Sequence, residues 1–306
     1  MRERAVVFGD DSPLVGIVTQ PDDGFDERVP LFLFLNAGLG HRVGPNRMHV
    51  TLARRLAELG AGSLRFDFSG IGDSPVSASS RAPEELAASE VIQAMNFLEQ
   101  SAGADKFVAV GLCSGANVAF AVAASDSRIV GAVLLNASVI PSAHSEEQLA
   151  ESWQRARAHH YRSRLRNWKG WTRVLTGRSD LLGVGRAMVR RARRALRLQD
   201  ARPRTIDLGL LPELDRRRIE LLAVYSEGDL GLELLAAHVG KFDNLACLER
   251  FQLEILTQTD HILTPLWAQR RLEALIVDWA ARRLSVGQES AHQADAVSSS
   301  RRKAAL

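Results

Sequence analysis

The sequence around residue 113 constrains the fold more than any other part of the chain. An apolar run that begins at Phe107 ends in the five residues Gly111–Gly115 (Gly-Leu-Cys-Ser-Gly), and small residues with a helical pattern follow. This is a G-x-nucleophile-x-G turn from a strand into a helix, with cysteine where serine is usual. The two glycines let the backbone turn sharply and leave the middle side chain exposed. The motif therefore predicts a strand–turn–helix unit in which Cys113 is a nucleophile for acyl transfer.

Two other interpretations of this motif are weaker. A small buried cysteine in a core is the commoner fate of cysteine, but the flanking glycines and the strand-to-helix context argue against it here. Ser114 is out of register as a nucleophile, because Leu112 and Ala116 would take the flanking positions. We expect its backbone N–H, at the start of the helix, to help hold an oxyanion.

The order of apolar runs predicts the fold class. Two strand-like runs at 4–8 and 13–19 open the chain as a hairpin, and strands then alternate with helices. Such alternation is typical of a mostly parallel central sheet with helices on both faces. Strands are expected at 30–36, 63–68, 106–110, 129–135, 219–225 and 251–256, and helices at 45–59, 83–99, 114–124, 232–239 and 265–283. Residues 1–139 and 217–283 would form this α/β core.

A basic segment interrupts the alternation between residues 140 and 216. Residues 153–204 contain sixteen Lys and Arg against two acids, although the whole chain has a net charge of only +3. The segment has helical patterns and no convincing strand, so we expect an inserted helical cap. Trp168 and Trp171, which lie in it, are candidate substrate-binding residues. The polar, non-periodic tail at 284–306 is expected to be disordered.

A thiol nucleophile needs a base and an acid that orients the base. His261 follows the strand at 251–256, in a loop of the kind where active sites of α/β proteins lie; a surface histidine is the alternative. The strand at 219–225 runs into a turn with two carboxylates, Glu227 and Asp229. Asp229 is preferred because the glycine before it suits a tight turn, and Glu227 remains the alternative.

A second donor to the oxyanion is expected from the loop after the strand at 30–36. That loop contains small residues, and the backbone N–H of Ala37 or Gly38 is the candidate. His41 could line the pocket, although an ordinary loop histidine is an equally good interpretation.

With these residues in place, the chain from about residue 30 to 283 resembles the α/β-hydrolase superfamily. The stretch from Asp67 to Ser74 looks like its D-x-x-G-x-G-x-S segment, and the order nucleophile, acid, histidine is that of these enzymes. Residues 42–47 and 168–178 are similar to hydrolases associated with exosortase systems, which can also carry cysteine in the elbow. Dienelactone hydrolases form a second cysteine-elbow group, but the long basic cap is unlike their compact form.

The resemblance implies an enzyme that acts through a Cys113–His261–Asp229 triad without a metal or organic cofactor. A thioesterase-like acyl hydrolase or acyltransferase on carrier-linked or coenzyme A-linked substrates is the leading hypothesis. An ester or lactone hydrolase of the dienelactone type and a non-catalytic binding module are the alternatives. The basic cap would be a solvated face, or a site for an acyl carrier protein or coenzyme A phosphates; a membrane ranks lower, and nucleic acid ranks last.

The remaining composition points to a soluble cytoplasmic protein. Cys113 and Cys247 lie far apart, so a disulfide framework is not expected. The N-terminus lacks the apolar region of a signal peptide, and no apolar run is long enough to span a bilayer.

Overall fold

The computed structural model describes residues 1–10, 12–140, 206–239 and 242–284. The strands are β1 (Arg2–Phe8), β2 (Leu14–Gln20), β3 (Leu31–Leu35), β4 (Ser63–Phe66), β5 (Phe107–Leu112), β6 (Ile129–Leu135), β7 (Val139–Ile140), β8 (Ile206–Asp207), β9 (Glu220–Ser226) and β10 (Phe251–Leu256). The α-helices are α1 (Met48–Glu58), α2 (Pro83–Ala102), α3 (Ser114–Ser125), α4 (Leu211–Arg216), α5 (Leu230–Val239) and α6 (Leu266–Arg283).

Eight of the strands form one sheet in the order β1-β2-β4-β3-β5-β6-β9-β10. Strand β2 pairs antiparallel with β1 and β4, and all the other pairs are parallel. The mostly parallel sheet predicted from the sequence is therefore confirmed. Because β3, β5, β9 and β10 run in the same direction, the loops that follow them leave the same edge of the sheet.

Hydrophobic clusters cover both faces of this sheet. Alternate residues of β3 belong to different clusters, Leu33 to one and Phe34 to the other, as the pleat of a doubly covered strand requires. Helices α2 and α3 contribute to the cluster with Leu33, whereas α1 and α6 contribute to the cluster with Phe34. In the part of the chain that the structure describes, no helix has both the length and the apolar character that crossing a membrane requires.

Helix α1 begins three residues later than the sequence predicts. Pro45 opens a short 3₁₀ turn instead, and the two residues after it have positive φ, 51° at Asn46 and 63° at Arg47. Residues with a left-handed backbone cannot be part of a right-handed helix, so Asn46 and Arg47 precede it. The proline marks a turn here, and the α-helix starts at Met48.

Residues 206–216, which the sequence assigns to the cap, pack against the core. Leu208, Leu211 and Leu214 belong to the same hydrophobic cluster as Leu33. Strands β7 and β8 pair in parallel, so residues 140 and 206 lie on neighbouring strands at either end of the intervening segment. The rest of the predicted cap, with Trp168 and Trp171, lies outside the described residues, as does the tail beyond residue 284.

Candidate active site

Cys113 stands at a sharp turn between β5 and α3. Its backbone has φ 56° and ψ −118°, a conformation that residues with a β-carbon rarely adopt. The turn is held in place because the Cys113 N–H donates to the carbonyl of Leu135 at 2.8 Å. The side chain is partly exposed and borders the hydrophobic cluster that contains Phe34. The local geometry is that of a nucleophile elbow.

The two glycines of the motif are required by close backbone contacts. A β-carbon at Gly111 would lie 2.2 Å from the carbonyl carbon of Gly115. A β-carbon at Gly115 would lie 2.5 Å from the carbonyl oxygen of Asn36. The beginning of α3 therefore packs directly against both β5 and the end of β3, which brings the elbow beside the loop after β3.

His261 lies between Asp229 and Cys113. Its Nδ1 is 2.6 Å from Oδ2 of Asp229, whose side chain is only 7% exposed. Hydrogen bonds to the Asp229 carboxylate and to Cys113 raise the pKa of His261 to about 10. The imidazole is consequently a cation at neutral pH, with a carboxylate on one side and the cysteine sulfur on the other.

The structure distinguishes the two carboxylates in the turn after β9. Asp229 is bonded to His261 and also accepts from the N–H of Gly231 at 2.9 Å. Glu227 is exposed and accepts from the N–H of Gln258 at 3.2 Å. Gly228 between them has φ 74°, so the tight turn inferred from the sequence is present. Only Asp229 lies at a position from which it orients the histidine.

A buried polar pair, which the sequence analysis did not identify, holds the loop that carries His261. The amide nitrogen of Asn136 donates to the backbone carbonyl of His261 at 2.8 Å and to the hydroxyl of Ser226 at 3.0 Å. That hydroxyl in turn donates to the carbonyl of Asp260 at 2.8 Å. Asn136 and Ser226 are each 2% exposed. A polar residue directly after each of two apolar strands is the only sequence signal for this pair.

The loop after β3 is held by the buried carboxylate of Asp67. Its oxygens accept from the side-chain amide of Asn36 at 3.2 Å and from the backbone N–H of Arg42 at 2.5 Å, and they form an ion pair with the Arg42 guanidinium. Asp67 is fully buried, and a β-carbon at Gly72 would lie 2.2 Å from its Oδ2. The D-x-x-G-x-G-x-S segment therefore fixes the loop that approaches the elbow.

The predicted oxyanion residues lie together, and a hydrogen bond that the sequence does not predict joins two of them. The N–H of Gly38 donates to the side-chain oxygen of Ser114 at 2.8 Å. Ala37 packs against the same hydrophobic cluster as Cys113. His41 is exposed, and its Nδ1 accepts from the N–H of Val43 at 3.4 Å. His41 is therefore bonded within its own loop. Among the described residues, no group of three or more His, Cys, Asp or Glu is arranged to hold a metal ion.

Comparison with known families agrees with this geometry. A family model described as the alpha/beta hydrolase fold matches residues 30–216, which is more than half of the 306 residues. The chain belongs to the α/β hydrolases. No curated protein matches the hydrolase in sequence.

Solved structures share the fold of this hydrolase at low sequence identity. An esterase from Pyrococcus furiosus is 14% identical, with a TM-score of 0.60 over 92% of this chain and 91% of its own. A dienelactone hydrolase from Anabaena variabilis is 15% identical, with a TM-score of 0.54 over 92% and 98%. A proline iminopeptidase from Mycobacterium smegmatis is 16% identical, with a TM-score of 0.55 over 92% and 99%. At these identities the similarity extends to the fold alone.

Proposed function

We propose that this α/β hydrolase is a cysteine-dependent acyl hydrolase or acyltransferase that acts on carrier-linked or coenzyme A-linked thioesters. Cys113 is the nucleophile, His261 is the acid–base residue, and Asp229 orients the histidine and raises its pKa. The observation that carries the proposal is the position of Cys113 at the elbow, hydrogen-bonded to a histidine that is itself 2.6 Å from a buried carboxylate.

The first half of the reaction follows from the charge on His261. Because its pKa is raised to about 10, the histidine holds the proton and Cys113 attacks as the thiolate. A bond forms between the cysteine sulfur and the substrate carbonyl carbon, and the carbonyl electron pair moves to oxygen. When the tetrahedral intermediate collapses, the leaving group departs with the proton from Nε2 of His261. The product is an acyl thioester on Cys113.

The second half of the reaction releases the acyl group. Neutral His261 removes a proton from water or from an acceptor alcohol or amine, which attacks the thioester carbonyl. Collapse of this second intermediate regenerates the thiolate of Cys113 and the imidazolium of His261. Asp229 stays ionised throughout and stabilises the imidazolium, as the acid does in related triads.

The cysteine favours thioesters over oxygen esters. In the tetrahedral intermediate, Cys113 competes with the substrate's own leaving group. The thiolate of a thioester leaves about as readily as Cys113 does, whereas an alkoxide leaves less readily and the intermediate reverts to substrate. The sixteen basic residues between 153 and 204 support an anionic substrate, such as the phosphates of coenzyme A or the acidic face of a carrier protein.

An oxygen ester or lactone hydrolase is the second candidate. The same Cys113–His261 geometry serves a lactone, because ring opening keeps the alkoxide beside the protonated histidine. The dienelactone hydrolase among the structures that share this fold is consistent with this candidate. The ratio of kcat/KM for thioesters to that for esters and lactones separates the two.

Intact-protein mass spectrometry tests the proposal. The protein carries Cys247→Ser, because Cys247 is an exposed free thiol that would react independently. It is incubated with acyl-coenzyme A, acyl-N-acetylcysteamine thioesters, p-nitrophenyl esters and lactones. We expect an adduct of one acyl mass that the further change Cys113→Ala abolishes. A wild-type thiol that gives neither adduct nor turnover with any of these substrates would point instead to the non-catalytic binding module.

The rate of alkylation by iodoacetamide tests the ion pair directly. We expect the Cys247→Ser protein to be alkylated faster at neutral pH than the variant that also carries His261→Ala, because the imidazolium of His261 beside the sulfur favours the thiolate. In the His261→Ala variant the rate should rise with pH as it does for an unassisted thiol, with a midpoint of about 8.5. Identical pH profiles for the two proteins would contradict the proposed ion pair.

A further inference from the structure

The side chain of Ser114 follows the nucleophile directly and has no part in the proposed reaction. It is exposed, directly follows Cys113, and is the first residue of α3. Its hydroxyl oxygen accepts the N–H of Gly38 at 2.8 Å. This bond joins the elbow to the loop after β3, so it lies where the two halves of an oxyanion hole meet.

The bond changes what Gly38 can offer to a substrate. An N–H that points at the Ser114 oxygen is not aimed at a carbonyl oxygen bound over Cys113. A hydroxyl, however, has one donor and two acceptor sites. No described residue accepts a hydrogen bond from the Ser114 hydroxyl, so its hydrogen is available to a bound ligand. Accepting the Gly38 N–H also polarises the hydroxyl and strengthens its donation.

The position of this hydroxyl is well fixed. The loop that carries Gly38 is tied to Asp67 through Asn36 and Arg42, and the start of α3 packs on the carbonyl of Asn36. Gly38 has φ 56°, and an added β-carbon there would meet no atom within 4 Å. Among the described residues, the position of an added β-carbon at Gly38 is therefore open space.

We propose that the Ser114 hydroxyl, oriented by the N–H of Gly38, is a catalytic donor to the oxyanion alongside the backbone N–H of Ser114. This inference rests on the proposed function. Gly38 then acts through the serine, and one residue supplies two donors to the same oxygen. The hydrogen bond forms as negative charge develops on that oxygen, and no covalent bond to Ser114 forms or breaks.

Two reactions of Cys113 test the role of Ser114. Acylation by a thioester joins the sulfur to a carbonyl carbon and develops an oxyanion, whereas alkylation by iodoacetamide joins it to a methylene carbon by displacement of iodide and develops none. Both rates are measured before steady state in Cys247→Ser proteins that carry Ser114, Ser114→Ala or Ser114→Thr. Losing one oxyanion donor typically slows the chemical step by ~10²–10³-fold.

We expect Ser114→Ala to slow acylation by roughly that factor, to leave alkylation unchanged, and to lower kcat with little change in KM. Ser114→Thr, which keeps the hydroxyl, should recover most of the acylation rate. A dithioester substrate, whose thiocarbonyl sulfur accepts hydrogen bonds weakly, should show a much smaller effect of Ser114→Ala.

Three other results would overturn the inference. Equal or faster acylation of Ser114→Ala would mean that the hydroxyl only covers the Gly38 N–H until substrate displaces it. Slowing of acylation and alkylation by the same factor would mean that the serine merely supports the elbow. A Cys113 that is alkylated but never acylated, with Ser114 intact, would overturn the proposed function and this inference with it.

Discussion

The two loops that converge on Cys113 are held in contrasting ways. The loop after β3 is held by charge, through the buried carboxylate of Asp67 and the guanidinium of Arg42. The loop that carries His261 is held by neutral groups, through the amide of Asn136 and the hydroxyl of Ser226.

This contrast has an electrostatic reason. The imidazolium of His261 is already paired with the carboxylate of Asp229. A second carboxylate among the groups that hold the histidine loop would compete with Asp229 for the imidazolium. An uncharged anchor fixes the backbone of the histidine loop without disturbing the ion pair. The loop after β3 carries no titrating residue of the reaction, so a carboxylate can anchor it at no cost to the chemistry.

The largest effect is expected from breaking the charged anchor. Asp67→Ala removes the buried acceptor of the Asn36 amide, the Arg42 N–H and the Arg42 guanidinium, and each unmet buried group typically costs about 1–3 kcal/mol. Urea unfolding at pH 7 measures the loss. Asp73→Ala is the matched control, because Asp73 binds the same guanidinium with a side chain that is 66% exposed. The free energy of unfolding of Asp73→Ala should decrease by only about 0–1 kcal/mol. Equal decreases in the two variants would mean that Asp67 does not anchor the loop after β3.

A second effect is the pH dependence of stability, which has opposite signs for His49 and His261. His49 lies beneath the end of the first loop, its ring is 1% exposed, and burial lowers its pKa to about 4. The unfolded chain therefore binds more protons between pH 6.5 and 4, and stability falls as pH falls through that window, by roughly 3 kcal/mol in all. His261, with its pKa raised, contributes stability below pH 6.5 that is lost as pH rises toward 10.

The variant His49→Phe tests this assignment. We expect the free energy of unfolding, followed from pH 7 to pH 4, to fall by less than in the wild type, whatever the variant's stability at pH 7. His41→Ala, which changes an exposed histidine of the loop after β3, is the matched control. A His49→Phe curve parallel to that of the wild type would show that groups other than His49 cause the loss of stability at low pH.

A smaller effect on stability is expected from the neutral anchor. Asn136→Ala leaves the N–H of Ser226 and the carbonyl of His261 without their partner, and each unmet buried group typically costs about 1–3 kcal/mol. Because the histidine loop loosens, kcat should fall and the midpoint of His261 titration, followed by NMR, should move down. Asn244→Ala, which removes an exposed amide bonded to a carbonyl, is the control. An unchanged titration midpoint would mean that Asn136 supports the fold alone.

The smallest effect is the coupling between the two members of the neutral anchor. Asn136 and Ser226 share a hydrogen bond, so a double-mutant cycle of Asn136→Ala and Ser226→Ala should give an interaction free energy of about 0.5–3 kcal/mol. The same cycle between Asn136 and Asp67, which anchor different loops, should give values close to zero. Equal coupling in both cycles would mean that the two loops move as one unit.

The sheet was largely predictable from the sequence, because apolar runs such as those at 31–35 and 107–112 have few alternatives to buried strands. The elbow was predictable because two glycines flank one residue at a fixed spacing. Helix α1 was predicted too early because Pro45 is favourable at a helix start and nothing in the sequence marks the positive φ of Arg47.

The long-range hydrogen bonds around the site were not predictable in the same way. The bond from Asn136 to His261 joins residues 125 apart, and the bond from Gly38 to Ser114 joins residues 76 apart. Asparagine and serine at the ends of strands usually begin turns. Which of them turn inward depends on the register of neighbouring strands, and that register is set by the whole sheet.

The backbone at Cys113 has a consequence for stability. A side chain held at φ 56° and ψ −118° costs of order 1–3 kcal/mol, whereas glycine adopts such angles freely. We therefore expect Cys113→Gly to unfold at a higher urea concentration than the wild type. The backbone at position 113 alone favours glycine, so the cysteine is held there at a cost in stability, which the proposed chemistry would explain.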